Sequence, residues 1–266
     1  MPNPYFTRNQ VFASPKPARA GTAAKPDELE ATWNAPTATP FDTGRMSYEG
    51  TVLKTSSLLI LLFCAAAVTW LVAPELAFVG MLVGFVLALI IIFRKKPSPA
   101  LTIAYAVAEG VFLGGFSAYI ESIDGYQGIP LQALLATGIT ASVCLWLYRS
   151  GRVRVTAGFT RVLMVGMISY GIFCIANLIV MLTTSDPGWG LRSSVEIGGI
   201  PLGIIVGAIA IILASMSLIA DFDGVKRGVE REVPSAYEWE AAFGIILTLV
   251  WLYIEFIRIL AILRDR

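Results

Sequence analysis

From residue 46 onward, long apolar runs alternate with short polar breaks. The runs cover roughly 55–73, 76–93, 100–120, 130–148, 160–183, 199–221 and 240–263. Each is near the ~20 residues that cross ~30 Å of hydrocarbon in helical form, so each predicts a transmembrane helix. The breaks carry turn and charge signals: Pro74 with Glu75, "RKKPSP" (94–99), "ESIDGYQGIP" (121–130), "RSGRVR" (149–154), "SDPGWG" (185–190) and "DGVKRGVEREVPS" (223–235). Only Pro74 and Glu75 separate the first two runs, which predicts a tight helical hairpin. The pattern as a whole predicts an all-α integral membrane protein, a bundle of seven transmembrane helices.

Residues 1–45 are different. They hold seven of the fourteen prolines, scattered polar side chains and no apolar period. The expectation is a disordered, Pro-rich cytoplasmic tail (1–45) in front of a membrane domain (46–266). No apolar run lies near the start, so the tail does not read as a secretory signal.

Composition supports the membrane reading. Of 266 residues, 56% are hydrophobic and only 15% charged, an excess too large for a soluble domain of this length. A net charge of +1 leaves no basic surplus to neutralise phosphates, so nucleic acid is not expected as a partner. The bilayer is. Cys64, Cys144 and Cys174 all fall inside apolar runs and read as small hydrophobes rather than disulfide partners. The chain contains no histidine, which excludes imidazole acid–base chemistry, His-metal sites and the usual pH switch. With no Ser–Lys or paired-Asp protease motif either, no enzymatic activity and no cofactor are expected.

Lysine and arginine set the expected orientation. With the N-terminus inside, sixteen of the twenty basic residues lie on the cytoplasmic side. Among them are Arg94, Lys95, Lys96, Arg149, Arg152, Arg154, Arg161, Lys226, Arg227 and Arg231. Only Arg192 occupies an external loop, while Arg258, Arg264 and Arg266 lie in or after the last run. Glycine pairs four residues apart (Gly80 and Gly84, Gly110 and Gly114, Gly203 and Gly207) predict close helix packing rather than ligand sites.

The chemistry must then come from carboxylates at membrane depth: Glu109 in the third run, Asp221 and Asp223 at the end of the sixth, and Glu255 in the seventh. A charge there costs at least ~2.5–3.5 kcal/mol and normally faces protein or a water cavity. Three of the four have a plainer reading, and Glu109 is expected as a protonated or cross-helix-bonded carboxyl. Asp221 and Asp223 follow an apolar run that stops at Ala220 and read equally well as a solvated helix end. Two residues apart, they point to nearly opposite sides, so at most one faces the core. Glu255 has Arg258 three residues on, an i, i+3 pair. Glu109 has no basic neighbour within helical reach. Two carboxyls sharing a proton between helices titrate as a unit and form a proton-operated latch. The same oxygens suit Ca²⁺.

At these residues the chain resembles the Bax inhibitor-1/YccA-like family, the transmembrane Bax-inhibitor-motif family, and within it the longer bacterial members. The resemblance rests on "DFDGV" ending the sixth run and "WLYIEFIRIL" in the seventh. "AYAVAEGVFLGGF", "MSYEGTVLKTS" and "AFGIILTLVWLY" extend it over about residues 46–264. It implies a seven-helix bundle with the last helix central, in a bacterial plasma membrane. It also implies a pH-sensitive calcium leak gated by a carboxylate pair between the sixth and seventh helices. By position that pair is Asp221 with Glu255, which would also make the transient calcium contact; Asp223 and Glu109 are weaker sensor candidates. If the sixth helix ends near Gly228 and the seventh starts near Glu238, the two acids lie about 10 and 25 Å from the turn. They then meet only if residues 238–244 form a helical extension below the membrane or the seventh helix starts later. Other members suggest a different role, a non-transporting regulator that binds a membrane protein such as a protease and supports stress survival.

The orientation is directly testable. A cysteine replacing Arg152 should react with membrane-impermeant thiol reagents only from the cytoplasmic side, and labelling from outside intact cells would reverse the assignment.

Overall fold

Ser47 starts the first helix. Its backbone is extended, and its hydroxyl accepts the Gly50 N–H at 2.9 Å, satisfying one of the unpaired donors of the first turn. In a computed structural model that describes residues 44–94, 96–184 and 189–265, seven helices are long and apolar enough to cross a membrane. They are α1 (Tyr48–Val72), α2 (Ala77–Phe93), α3 (Pro99–Ser122), α4 (Ile129–Arg149), α5 (Ala157–Thr183), α6 (Leu202–Glu230) and α7 (Tyr237–Arg264). The expected tail lies outside the described residues, apart from Gly44 and Arg45. Those two pair with the α6–α7 turn: Arg45 bridges Pro234, and the Gly44 carbonyl accepts the Ser235 N–H at 2.8 Å.

The breaks act through proline and capping side chains. Pro74 opens a 3₁₀ turn (Pro74–Leu76) that runs into α2, and Pro99 and Pro130 occupy first turns, where a missing N–H costs nothing. Thr156 caps α5 by accepting the Phe159 N–H at 3.2 Å. Between α5 and α6, a one-turn helix (Leu191–Ser194) leads into a hairpin of β1 (Glu196–Ile197) and β2 (Ile200–Pro201). Gly198 and Gly199 form its turn at φ +60° and +78°, a geometry that other residues adopt only with strain.

Several helices run past their apolar segments. α1 starts seven residues before the expected run, and α6 continues about two turns beyond Asp221 to Glu230. Helical hydrogen bonding does not stop where hydropathy falls, so polar ends project from the apolar slab.

α3 and α7 form the buried centre. Tyr105 and Ala106 of α3, and Ala242, Ile246, Leu252, Glu255, Ile257 and Ala261 of α7, are 0% exposed. The last helix is therefore central, but it shares that place with α3. α2 lies outside α3, and α5 has no buried residue. The start of α1 and the end of α7 define two faces. Gly44–Ser47 and the α6–α7 turn meet on the first, where the Met46 N–H donates to the Val233 carbonyl at 2.7 Å. On the second, Arg264 donates to the Gly125 and Gln127 carbonyls at 2.8 and 2.6 Å, and Tyr126 donates to Asp265 at 2.5 Å.

Close approach of backbones explains Gly80 and the pair Gly110 and Gly114. A Cβ at Gly80 would lie 2.6 Å from the Phe112 nitrogen, and one at Gly110 or Gly114 would collide with the Leu62 or Ala66 carbonyl oxygen of α1. Gly114→Ala should therefore lower thermal stability in detergent by about 1–3 kcal/mol, through forced separation of α1 and α3. Gly138→Ala, where a Cβ meets open space, should be neutral or raise stability by about 0.5–1 kcal/mol.

Candidate functional site

One stripe of α7 carries the polar side chains. Gly244, Thr248, Trp251, Glu255 and Arg258 follow one another at spacings of four and three, so they share one face. That stripe meets α6 and α5.

Glu255 is 0% exposed and saturated by donors. Arg192 Nη1 reaches its Oε2 at 3.1 Å, while Arg258 and the Tyr170 hydroxyl both donate to Oε1. Arg192, 2% exposed, also donates from Nη2 to the Tyr170 oxygen at 2.9 Å, and its guanidinium lies 5.4 Å from the Phe173 ring centre. The cluster thus holds one carboxylate against two guanidiniums, a surplus of one positive charge. Charge-assisted bonds of this kind are roughly twice as strong as neutral ones.

Local structure carries Arg192 inward. Gly190, at φ +64°, turns the chain beneath Asn177 and Met181 of α5, and Ser193 Oγ accepts the Trp189 N–H at 3.1 Å. Gly203 gives the Arg192 backbone its seat, since a Cβ there would lie 2.8 Å from the Arg192 carbonyl oxygen. One turn further, Gly207 leaves room for Ile259 and Glu255. Gly203 of the third glycine pair therefore seats the ionic cluster, while Gly207 packs α6 against Ile259 of α7.

Asp221 takes another partner. Its Oδ2 accepts the Thr248 hydroxyl at 2.7 Å, and Gly244 lies beside its Oδ1. Thr248 and Glu255 are seven residues apart, about 10 Å along α7. The structure therefore does not bring Asp221 and Glu255 into the direct bond expected from the sequence. α7 begins at Tyr237, which places Glu255 deep in the helix, where Arg192 already occupies it. The alternative i, i+3 contact with Arg258 is present, as one part of the larger cluster. Asp223 faces the other way, paired with Arg227 at 3.0 Å and accepting the Tyr148 hydroxyl at 3.3 Å. Glu109 lies against Gly84 of α2, well removed from the stripe of α7.

Three members escaped the sequence reading: Arg192, Tyr170 and Thr248. Arg192 was placed in an external loop. Its solitude there, followed by glycines at 203 and 207, was the available signal. A hydroxyl in an apolar run, like Tyr170 or Thr248, carries no such mark. Between the two carboxylates, the Trp251 indole N–H is buried without a hydrogen-bond partner among the described residues. No group of three or more acidic or cysteine side chains that could hold a metal ion occurs among them.

Thr248→Val, which keeps shape and removes the donor, should destabilise the protein by about 1–3 kcal/mol in detergent melts, because Asp221 keeps its burial and loses its partner.

Compared with known proteins, the chain matches the family model described as Bax inhibitor 1 like over residues 3–265. A search of curated proteins finds no match.

Proposed function

The chain belongs to the Bax inhibitor 1 like family, and from that premise we propose that this multi-pass membrane protein is a pH-sensitive cation leak whose ion is calcium. The observation that carries the reading is the polar stripe of α7, with a carboxylate of α6 at one depth and its own carboxylate about 10 Å further on. The path would open on the first face, the one expected to be cytoplasmic from the lysine and arginine of the loops. Asp221, whose hydrogen-bond partner among the described residues is a neutral hydroxyl, is the station proposed for a hard cation or a proton. The orphaned Trp251 N–H marks where water would stand between the stations.

Glu255 is the plug in this reading. Its oxygens are occupied, and the surplus guanidinium charge repels cations. A proton on Glu255 frees Arg192, and acid favours an open form in which that guanidinium has swung out of the path and taken its charge with it. Such a shift is limited to the proton's differential affinity for the two forms. α5, which buries no residue, is the helix able to move with Tyr170.

One observation favours a second reading. A carboxylate sealed by two guanidiniums also suits a protein that transports nothing and regulates a membrane protein partner, the cluster serving as a structural lock.

Calcium flux into vesicles reconstituted with the purified protein separates them. The leak reading expects flux that rises on acidification. Glu255→Gln should flatten that pH response, Asp221→Asn should lower flux at every pH, and Asp223→Asn should change little. Flux no greater than in empty vesicles at any pH would reject the leak and leave the regulator.

A further inference from the structure

A groove of about 840 Å³ runs along the lateral surface between α1 and α4, with α3 and α7 as its floor. α1 and α4 each pack on those floor helices rather than on one another. The walls are almost wholly apolar. The polar pair in the floor satisfies itself, since Ser117 and Tyr253 hydrogen-bond at 2.7 Å.

The extent of the groove identifies what fills it. On α1 it runs from Leu59 to Leu71, twelve residues or about 18 Å. On α4 it runs from Pro130 to Ala141, about 17 Å from that helix's start at the second face. Both lengths match one leaflet of hydrocarbon, about 15 Å, and the groove closes at mid-depth. A partner's transmembrane helix would need a surface along the full ~30 Å. A single acyl chain needs only one leaflet.

The mouth has a sign. Glu121 lines it and spends one oxygen on the Gly128 N–H at 2.9 Å, leaving the other without a hydrogen bond among the described residues. Asp124 is exposed close by, and Arg264, the nearby cation, is committed to the Gly125 and Gln127 carbonyls. A carboxylate without a cation of its own suits an ammonium headgroup.

We propose that the α1–α4 groove is a lipid site that holds one acyl chain of a second-face leaflet phospholipid, with Glu121 selecting an ethanolamine-type headgroup over an anionic one.

Gly138 makes the site testable. It lines the groove, and a Cβ there meets nothing within 4 Å, so a large side chain can fill the space without disturbing the helices. The full-length protein would be placed in bilayer discs containing phosphatidylethanolamine with a photoreactive acyl chain, or phosphatidylglycerol carrying the same chain. Labelled peptides are then mapped by mass spectrometry. Labelling should concentrate on 59–71 and 131–141 over α2 and α5, whose surfaces are as open to lipid. Gly138→Trp should cut labelling in the groove by about fivefold or more while leaving α2 and α5 unchanged. Ala67→Phe, on the opposite wall, gives the same reading should the tryptophan variant not fold. Glu121→Gln should keep the labelling and abolish the preference for ethanolamine. Labelling spread evenly over the four helices, or unmoved by filling the groove, would overturn the site. Equal labelling of the wild type by both headgroups would overturn the role of Glu121.

Discussion

Glu255 can exist at the centre of this bundle because two guanidiniums, those of Arg192 and Arg258, reach it. A lone carboxylate inside the hydrocarbon slab is costly, and an unpaired guanidinium equally so. Paired, each removes the penalty of the other, and Arg258 and Tyr170 complete the acceptor's needs. The constraint propagates outward. The segment after α5 must turn inward at Gly190, and α6 must present glycine at 203 to admit the arginine backbone. The one-turn helix and the β-hairpin then read as the lead-in that delivers one side chain.

The helix that carries Glu255 is fixed at both ends. On the first face, Glu238 is 3% exposed and accepts from the Ser47 N–H at 2.8 Å and from Lys54 at 2.6 Å, tying the start of α7 to α1. On the second face, Arg264 and Asp265 hold the α3–α4 loop. Burial, together with the Asp265 carboxylate, pushes Tyr126 in that loop up to about 12, so its hydroxyl remains a donor throughout the physiological range. With α7 held and α3 packed against α1 by glycine contacts, α5 is the least buried helix that touches the site. Its Tyr170 touches Glu255.

Much of the fold was legible in hydropathy, because a membrane span must bury its backbone polarity in helix over a known length. Seven runs became seven helices, and Gly80, Gly110, Gly114 and Gly203 marked real backbone contacts. The carboxylates at 109, 221 and 255 stood out for the same reason: charge is conspicuous against an apolar background. Their partners were not legible. Arg192 is distant in sequence from Glu255 and sits in a segment whose polarity suits solvent, so only the three-dimensional path of that loop reveals it. Thr248 passes unnoticed because one hydroxyl hardly alters the hydropathy of its run. The expected Asp221–Glu255 contact failed on depth, since two helices joined by a short turn must pair residues at equal distances from it. Asp221 and Thr248 satisfy that rule, and Asp221 and Glu255 do not.

A double-mutant cycle on Arg192 and Glu255 tests the central pair most directly. Arg192→Met, Glu255→Gln and the double variant would be compared with wild type by reversible unfolding of the full chain in mixed micelles. A buried pair predicts that each single change costs about 3–5 kcal/mol, because it strands the remaining partner, and that the double variant costs far less than their sum. Costs that add to within about 0.5 kcal/mol would mean that the two side chains do not interact, and would contradict the account.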